Sequence, residues 1–206
     1  SQTKTNICCH VDHGYTLDEC YDGIDSGFTS VMFDGSKLTL KENIKISKKI
    51  ASRAHKYNIS IEGEIGFVGY DNGKISEGTN IEDAVTFANK SNIDAMAISV
   101  GNTHLQTSKK ASIDFNKINL IESKTKIPLV LHGSSGIPVE QRKKLARKTK
   151  VAKLNIGTEI RMTFGEALRK NLKNNPKTYD RLQLLKPTIK DLTKVTKKII
   201  KQIGPN

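Results

Sequence analysis

The sequence predicts an α/β fold, a parallel sheet covered by helices, and three observations predict it. Short apolar runs alternate with longer segments of helical periodicity along the 206 residues, as six strand-then-helix units followed by a C-terminal helix. The strand candidates read as near-continuous apolar runs, the pattern of strands buried on both faces. Residues able to do chemistry collect at the strand C-termini: His13, Asp34, Glu64, His104, His132 and Asn155. In parallel α/β folds that end of the sheet carries the active site.

Each element has its own signal. "NICCHVDH" is the first strand, and "TLDECYDGIDSGF" the first helix. Thr16 with Glu19 three residues on forms a capping box, and Gly27 supplies the stop. "SVMFDG" is the second strand and "LKENIKISKKIASRAHKYN" its helix. "ISIEGEIGFVG" is a third strand running into a glycine-rich loop, followed by the helix "NIEDAVTFANKSN". "AMAISVG" and "DFNKINLIESKTK" form the fourth unit. "IPLVLHGSSG" and "PVEQRKKLARKTK" form the fifth, with Pro138 in the first helical turn. "VAKLNIGTE" and "RMTFGEALRKNL" form the sixth, and a last helix over about residues 178–202 follows "NNPK".

Six strands suit a doubly wound open sheet, or part of a (β/α)8 barrel, which takes eight units and about 250 residues. "GSSG" after a strand is not a dinucleotide fingerprint, and no Walker loop is present. Composition, 36% hydrophobic with no Trp, suits one globular domain over residues 1–206. No run of about 18 apolar residues and no signal peptide is found, so a cytoplasmic protein without a membrane partner is expected. Cys8, Cys9 and Cys20 fit neither a disulfide framework nor a zinc knuckle, and are read as reduced, partly buried thiols. The net charge of +13 is uneven: residues 141–206 carry 19 Lys/Arg against 4 Asp/Glu. These lysines sit at helical spacing among Leu, Ile and Val, as on solvated helix faces. With few aromatics and no binding motif, nucleic acid is not the expected partner.

"CCHVDHGYT" places an acid between two imidazoles at the end of an apolar run. His13, His104 and His132 end three different strands, and three neutral imidazoles with one open position are a common catalytic zinc arrangement. A lone histidine there is more often a hydrogen-bonded rim residue; three at matching ends favour a shared site. His10 is expected on the face opposite His13, and His55 on a polar helix face; both are read as structural. "HGSSG" and "NIGTE" put backbone N–H groups, hydroxyls and a helix N-terminus at two consecutive strand ends, a phosphate-binding combination. An ordinary tight turn explains either one alone.

With "GFTSVMFDGS", "IEGEIG", "LVLHGSSGIP", "AKLNIGTEIR" and the tail from "NNPKTYDRLQ", the chain resembles the class II, metal-dependent ketose-bisphosphate aldolases. The resemblance spans essentially all 206 residues. It implies a TIM-type (β/α)8 barrel, here lacking the first two βα units. It implies zinc on His13, His104 and His132, one ion per chain, with room for a monovalent cation. Asp12 becomes the acid–base residue. Gly133, Ser134, Ser135 and Asn155, Ile156, Gly157 and Thr158 hold the phosphate-bearing half of a phosphorylated sugar. Asp34 and Glu64 lie near the metal, either as a second site or as acceptors orienting the histidines; the second role is favoured slightly. The implied reaction is reversible cleavage of fructose or tagatose 1,6-bisphosphate to dihydroxyacetone phosphate and glyceraldehyde 3-phosphate, in a homo-oligomer.

Three positions depart from the family pattern. The loop glutamate aligns with Asn72, flanked by Asp71 and, further on, Glu77. Leu105 stands where the family has glycine after the histidine. "RKTKVAKLN" is one residue longer than usual. They motivate a rival reading, an aldolase-like protein or fragment that binds metal and phosphosugar without turnover. Nucleic-acid binding through the basic C-terminal third is a third.

Overall fold

The computed structural model describes residues 4–70, 73 and 76–204. Six parallel strands lie in chain order, β1 (His10–Gly14), β2 (Ser30–Phe33), β3 (Ser60–Ile65), β4 (Ala95–Ile98), β5 (Leu129–Leu131) and β6 (Val151–Leu154). A doubly wound sheet reverses its strand order at a switch point. This one never does, so its winding is that of a barrel. Side chains of β1 and β6 meet across the interior, Lys153 lying 3.2 Å from His10, and at the rim Asn155, just after β6, donates to Asp12 at 3.3 Å.

The connecting helices are α1 (Leu17–Asp25), α2 (Leu40–Lys56), α3 (Ile81–Lys90), α4 (Phe115–Lys124) and α5 (Val139–Lys148). They are followed by α6 (Thr158–Asn174), α7 (Arg181–Leu185) and α8 (Thr188–Ile203). Their starts follow from the sequence. Thr16 and Thr39 form complete capping boxes with Glu19 and Glu42, and Asn80 and Asp114 cap α3 and α4. Gly27 takes φ +84° just past α1. Pro138 is the N-cap of α5 rather than its first helical residue.

Alternation along each strand sorts the two sheet faces. Val31, Phe33, Ile61, Ile65, Met96, Ile98, Leu129, Leu131 and Val151 pack outward against Ile50, Phe87, Ile118, Ile121 and Leu145 of the helices. Each such buried side chain contributes about 1.5–3 kcal/mol. Glu62 and Glu64 alternate with these and, with Lys153, face the interior, where Lys153 pairs with Glu62 and Glu64 lies beside His132. This arrangement sets the active-site floor.

Four expectations are corrected. The first strand begins at His10, leaving Cys8 and Cys9 exposed; only Cys20 is buried. The single helix over 178–202 is two helices, because Pro187 has no N–H to carry the ladder past Lys186. His104 ends no strand; it sits six residues beyond β4, where its N–H donates to Gly69 O at 2.7 Å. His10 and His13 do not face opposite ways. Pairing with β2 slips between Val11 and Gly14, and His13 adopts φ +63°. That irregularity turns His13 inward like His10, which reaches Lys153 at 3.2 Å. A second slip, with Val151 opposite Leu129 but Lys153 opposite Val130, absorbs one extra residue of β6.

Candidate active site

The C-terminal rim of the sheet forms a cleft of about 200 Å³ lined by Asp12, His13, Tyr70, His104, Leu105, Gly133, Ser135, Asn155, Gly157, Thr158 and Arg161. His13 is 16% exposed, and His132 lies fully buried beneath it. One nitrogen from each of His13, His104 and His132 lies within 4.8 Å of the others. The remote imidazoles therefore converge. Tyr70 stacks on the His104 ring at 5.1 Å and fixes its plane.

Carboxylates set the tautomers. His13 Nδ1 donates to Asp34 Oδ2 at 2.9 Å, which leaves the Nε2 lone pair facing His132. His132 Nε2 donates to Glu62 Oε1 at 2.8 Å, which leaves its Nδ1 lone pair facing His13. The two facing nitrogens are 3.0 Å apart. Two ligands at about 2.0–2.1 Å from a tetrahedral ion lie roughly 3.3 Å apart, so the spacing suits a small cation. Burial, reinforced by the neighbouring imidazoles, brings the His104 pKa down to about 4, leaving it neutral with a lone pair to offer. Glu64 belongs to a second grouping, with His13 and Asp34, whose ligand atoms also lie within 4.8 Å of one another. Its Oε2 is buried without a hydrogen-bond partner among the described residues, 3.6 Å from His132 Nδ1 and 3.9 Å from His13 Nδ1. Burial, with Asp34 and Glu62 nearby, pushes its pKa well above the ordinary range. A cation beside it would end that orphaning and favour the charged form. The donor set thus fits a divalent metal on two counts.

The two acids expected to orient histidines divide. Asp34 does so. Glu64 does not: its contacts with both histidines are too long for hydrogen bonds, and the acceptor for His132 is Glu62, unnoticed in the sequence. The signal was present, since Glu62 lies two residues before Glu64 on the same strand face. Lys153 was missed in the same way, two residues before Asn155. Its Nζ is 2.7 Å from Glu62 Oε2. Burial pushes Glu62 upward, but the His132 hydrogen bond and the Lys153 charge outweigh it and hold the pKa at about 2.

Asp12 is 61% exposed at the cleft mouth, its Oδ1 4.0 Å from His13 Nε2. Gly133 needs its left-handed φ of +60°, and a Cβ there would strike the Thr103 carbonyl. Ser135, Asn155, Gly157 and Thr158 line the cleft, as does Arg161 in the first turn of α6, which the sequence reading passed over. Ser134 and Ile156 do not. The Ser134 hydroxyl is spent on Leu131 O, and its N–H on Asn155 O. Asp71 and Asn72 lie outside the described residues. Glu77 is exposed, its N–H bonded to Phe67 O.

The chain is similar to known proteins over nearly its whole length. The family described as "Fructose-bisphosphate aldolase class-II" matches residues 1–206. A 6-phospho-5-dehydro-2-deoxy-D-gluconate aldolase of Shouchella clausii is 36% identical over 96% of this chain and 68% of its own. A fructose-bisphosphate aldolase of Staphylococcus aureus is 33% identical over 96% of this chain and 70% of its own. The crystal structure of the YdjI aldolase from Escherichia coli K12 superposes with a TM-score of 0.77 at 27% identity, covering 95% of this chain and 68% of that one.

Proposed function

The chain belongs to the class II fructose-bisphosphate aldolase family, and on that premise we propose that it cleaves a phosphorylated ketose to release dihydroxyacetone phosphate. The observation that carries this reading is the convergence of three imidazole nitrogens within 4.8 Å beside Asp12. His13, His104 and His132 would hold a divalent ion, zinc by resemblance. The chemistry such an ion supplies is polarisation of the substrate ketone and compensation of the charge left when the C–C bond breaks.

The remaining work falls to side chains. Asp12 takes the proton from the hydroxyl two carbons beyond the ketone, so that this carbon becomes the aldehyde as the bond breaks. Its exposure at the cleft mouth and the Asn155 amide 3.3 Å from Oδ1 support that role. Gly133 and Ser135, with Asn155, Gly157 and Thr158, bind the phosphate through backbone N–H groups and hydroxyls, aided by the α6 N-terminus. Arg161 brings a cation to the same cleft wall.

Fructose or tagatose 1,6-bisphosphate is the first substrate to test. A second reading, 6-phospho-5-dehydro-2-deoxy-D-gluconate, is favoured by the name of the Shouchella clausii relative. All three share a ketone beside a phosphorylated terminal carbon; the two bisphosphates differ at one stereocentre and release the same aldehyde, while the deoxygluconate releases another. Metal-loaded protein should release dihydroxyacetone phosphate from at least one, and a chelator should stop it. Absence of turnover on all three would overturn the proposal. Calorimetric binding without cleavage would instead identify a phosphosugar-binding protein.

A further inference from the structure

Arg142 sits on α5 between Val139 and Leu145 at three-residue spacing, on the stripe that packs inward, and its side chain has no exposure. A guanidinium removed from water must have its donors met by protein groups. Four acceptors from three parts of the chain meet it. Nε donates to Ser134 O at 3.0 Å, and Nη2 to Ser135 O at 2.8 Å and Glu159 Oε2 at 2.7 Å. Nη1 reaches Gln202 Oε1 of α8 at 3.4 Å. Lys109 doubles two of these contacts, at 3.4 Å to Ser135 O and 3.0 Å to Glu159 Oε2. The Glu159 N–H donates to Ser135 Oγ at 3.2 Å, closing the ring.

Two consequences bear on the cleft. The Ser134 carbonyl turns toward Arg142, so across a trans peptide the Ser135 N–H points away from it. Glu159 occupies the first turn of α6, where its negative charge would compete with any anion at the helix N-terminus. Drawn to Arg142 and Lys109, its carboxylate stands outside the set of residues lining the cleft. One buried cation thus shapes the turn after β5 and removes a rival anion from the helix after β6.

We propose that Arg142 is the positioning residue of the phosphate subsite, locking the two loops into one anion cradle. The inference rests on the phosphosugar reading of the cleft. A fork meeting several acceptors in fixed directions is what lysine cannot reproduce. The test is a titration of the metal-loaded full chain with inorganic phosphate and with dihydroxyacetone phosphate, followed by 31P NMR. The variants are Arg142→Lys and Glu159→Gln, and the control is Phe87→Leu, a core change remote from the loops. Arg142→Lys is expected to bind phosphate on the order of tenfold more weakly, with KM raised more than kcat is lowered; Glu159→Gln, which keeps an acceptor for Arg142 but removes the rival charge, is expected to bind at least as tightly as wild type. Phe87→Leu should bind as wild type even at an equal loss of thermal stability. Wild-type affinity in folded Arg142→Lys, weakened binding in Glu159→Gln, or an equal loss in Phe87→Leu would overturn the proposal. Should Arg142→Lys fail to fold, Glu159→Gln decides alone. A wild-type protein that binds neither probe would instead sink the phosphosugar reading.

Discussion

At the scale of single residues, the histidines and Asp12 were legible because chemistry at a strand end stands out against an apolar run. Their partners were not. Glu62 and Lys153 look like ordinary charges until the sheet curls and puts Glu62 against His132 and Lys153 against Glu62. Asp12→Asn should lower kcat by about 10²–10⁴-fold, the usual contribution of a positioned acid–base group, with metal content unchanged by elemental analysis. Leu105 is exposed on the cleft with φ +56°. A left-handed non-glycine residue costs about 1–2 kcal/mol, and glycine's extra chain entropy returns only part of that. Leu105→Gly should therefore raise the melting temperature slightly, where Leu→Gly at an ordinary surface site lowers it. The acid limb of stability has a named source. Glu62 has a folded pKa of about 2, below its unfolded value near 4.3. Its contribution is complete above the unfolded value and is lost as pH falls through the folded one. Glu62→Gln should flatten the stability curve between about pH 4.5 and 2, as read by denaturant titration across that window.

At the scale of elements, helix starts were the most legible feature, since a capping box is local and needs no tertiary partner. Helix ends and strand lengths were less so. The split between α7 and α8 turns on one missing N–H at Pro187. The two register slips in β1 and β6 arise from neighbouring strands and carry no local signature. Contacts between layers are equally invisible beforehand. Gly63 lies against the Phe87 ring of α3, so that a Cβ there would stand 2.8 Å from Phe87 Cζ. Gly63→Ala should cost about 1–3 kcal/mol by overpacking, and pairing it with Phe87→Leu should recover part of that loss in equilibrium unfolding.

At the scale of the whole molecule, the cleft is assembled from β1 and from the segments after β3, β4, β5 and β6, and binding there is linked to stability throughout. A ligand at a thousand times its Kd adds about 4 kcal/mol, so a chelator should lower the melting temperature of metal-loaded protein, and added zinc should restore it. No helix among the described residues is long and apolar enough to cross a membrane. By itself, the sequence determined the alternation of strand and helix, several helix starts and the residue types at the rim. These follow from periodicity and capping, which act over a few residues. Only the tertiary structure decided which imidazole nitrogens face one another, which carboxylate orients each ring, and that Arg142 meets two loops at once. Those depend on the curl of the sheet and on two register slips, which bring together residues as far apart as His13 and His132, 119 positions along the chain.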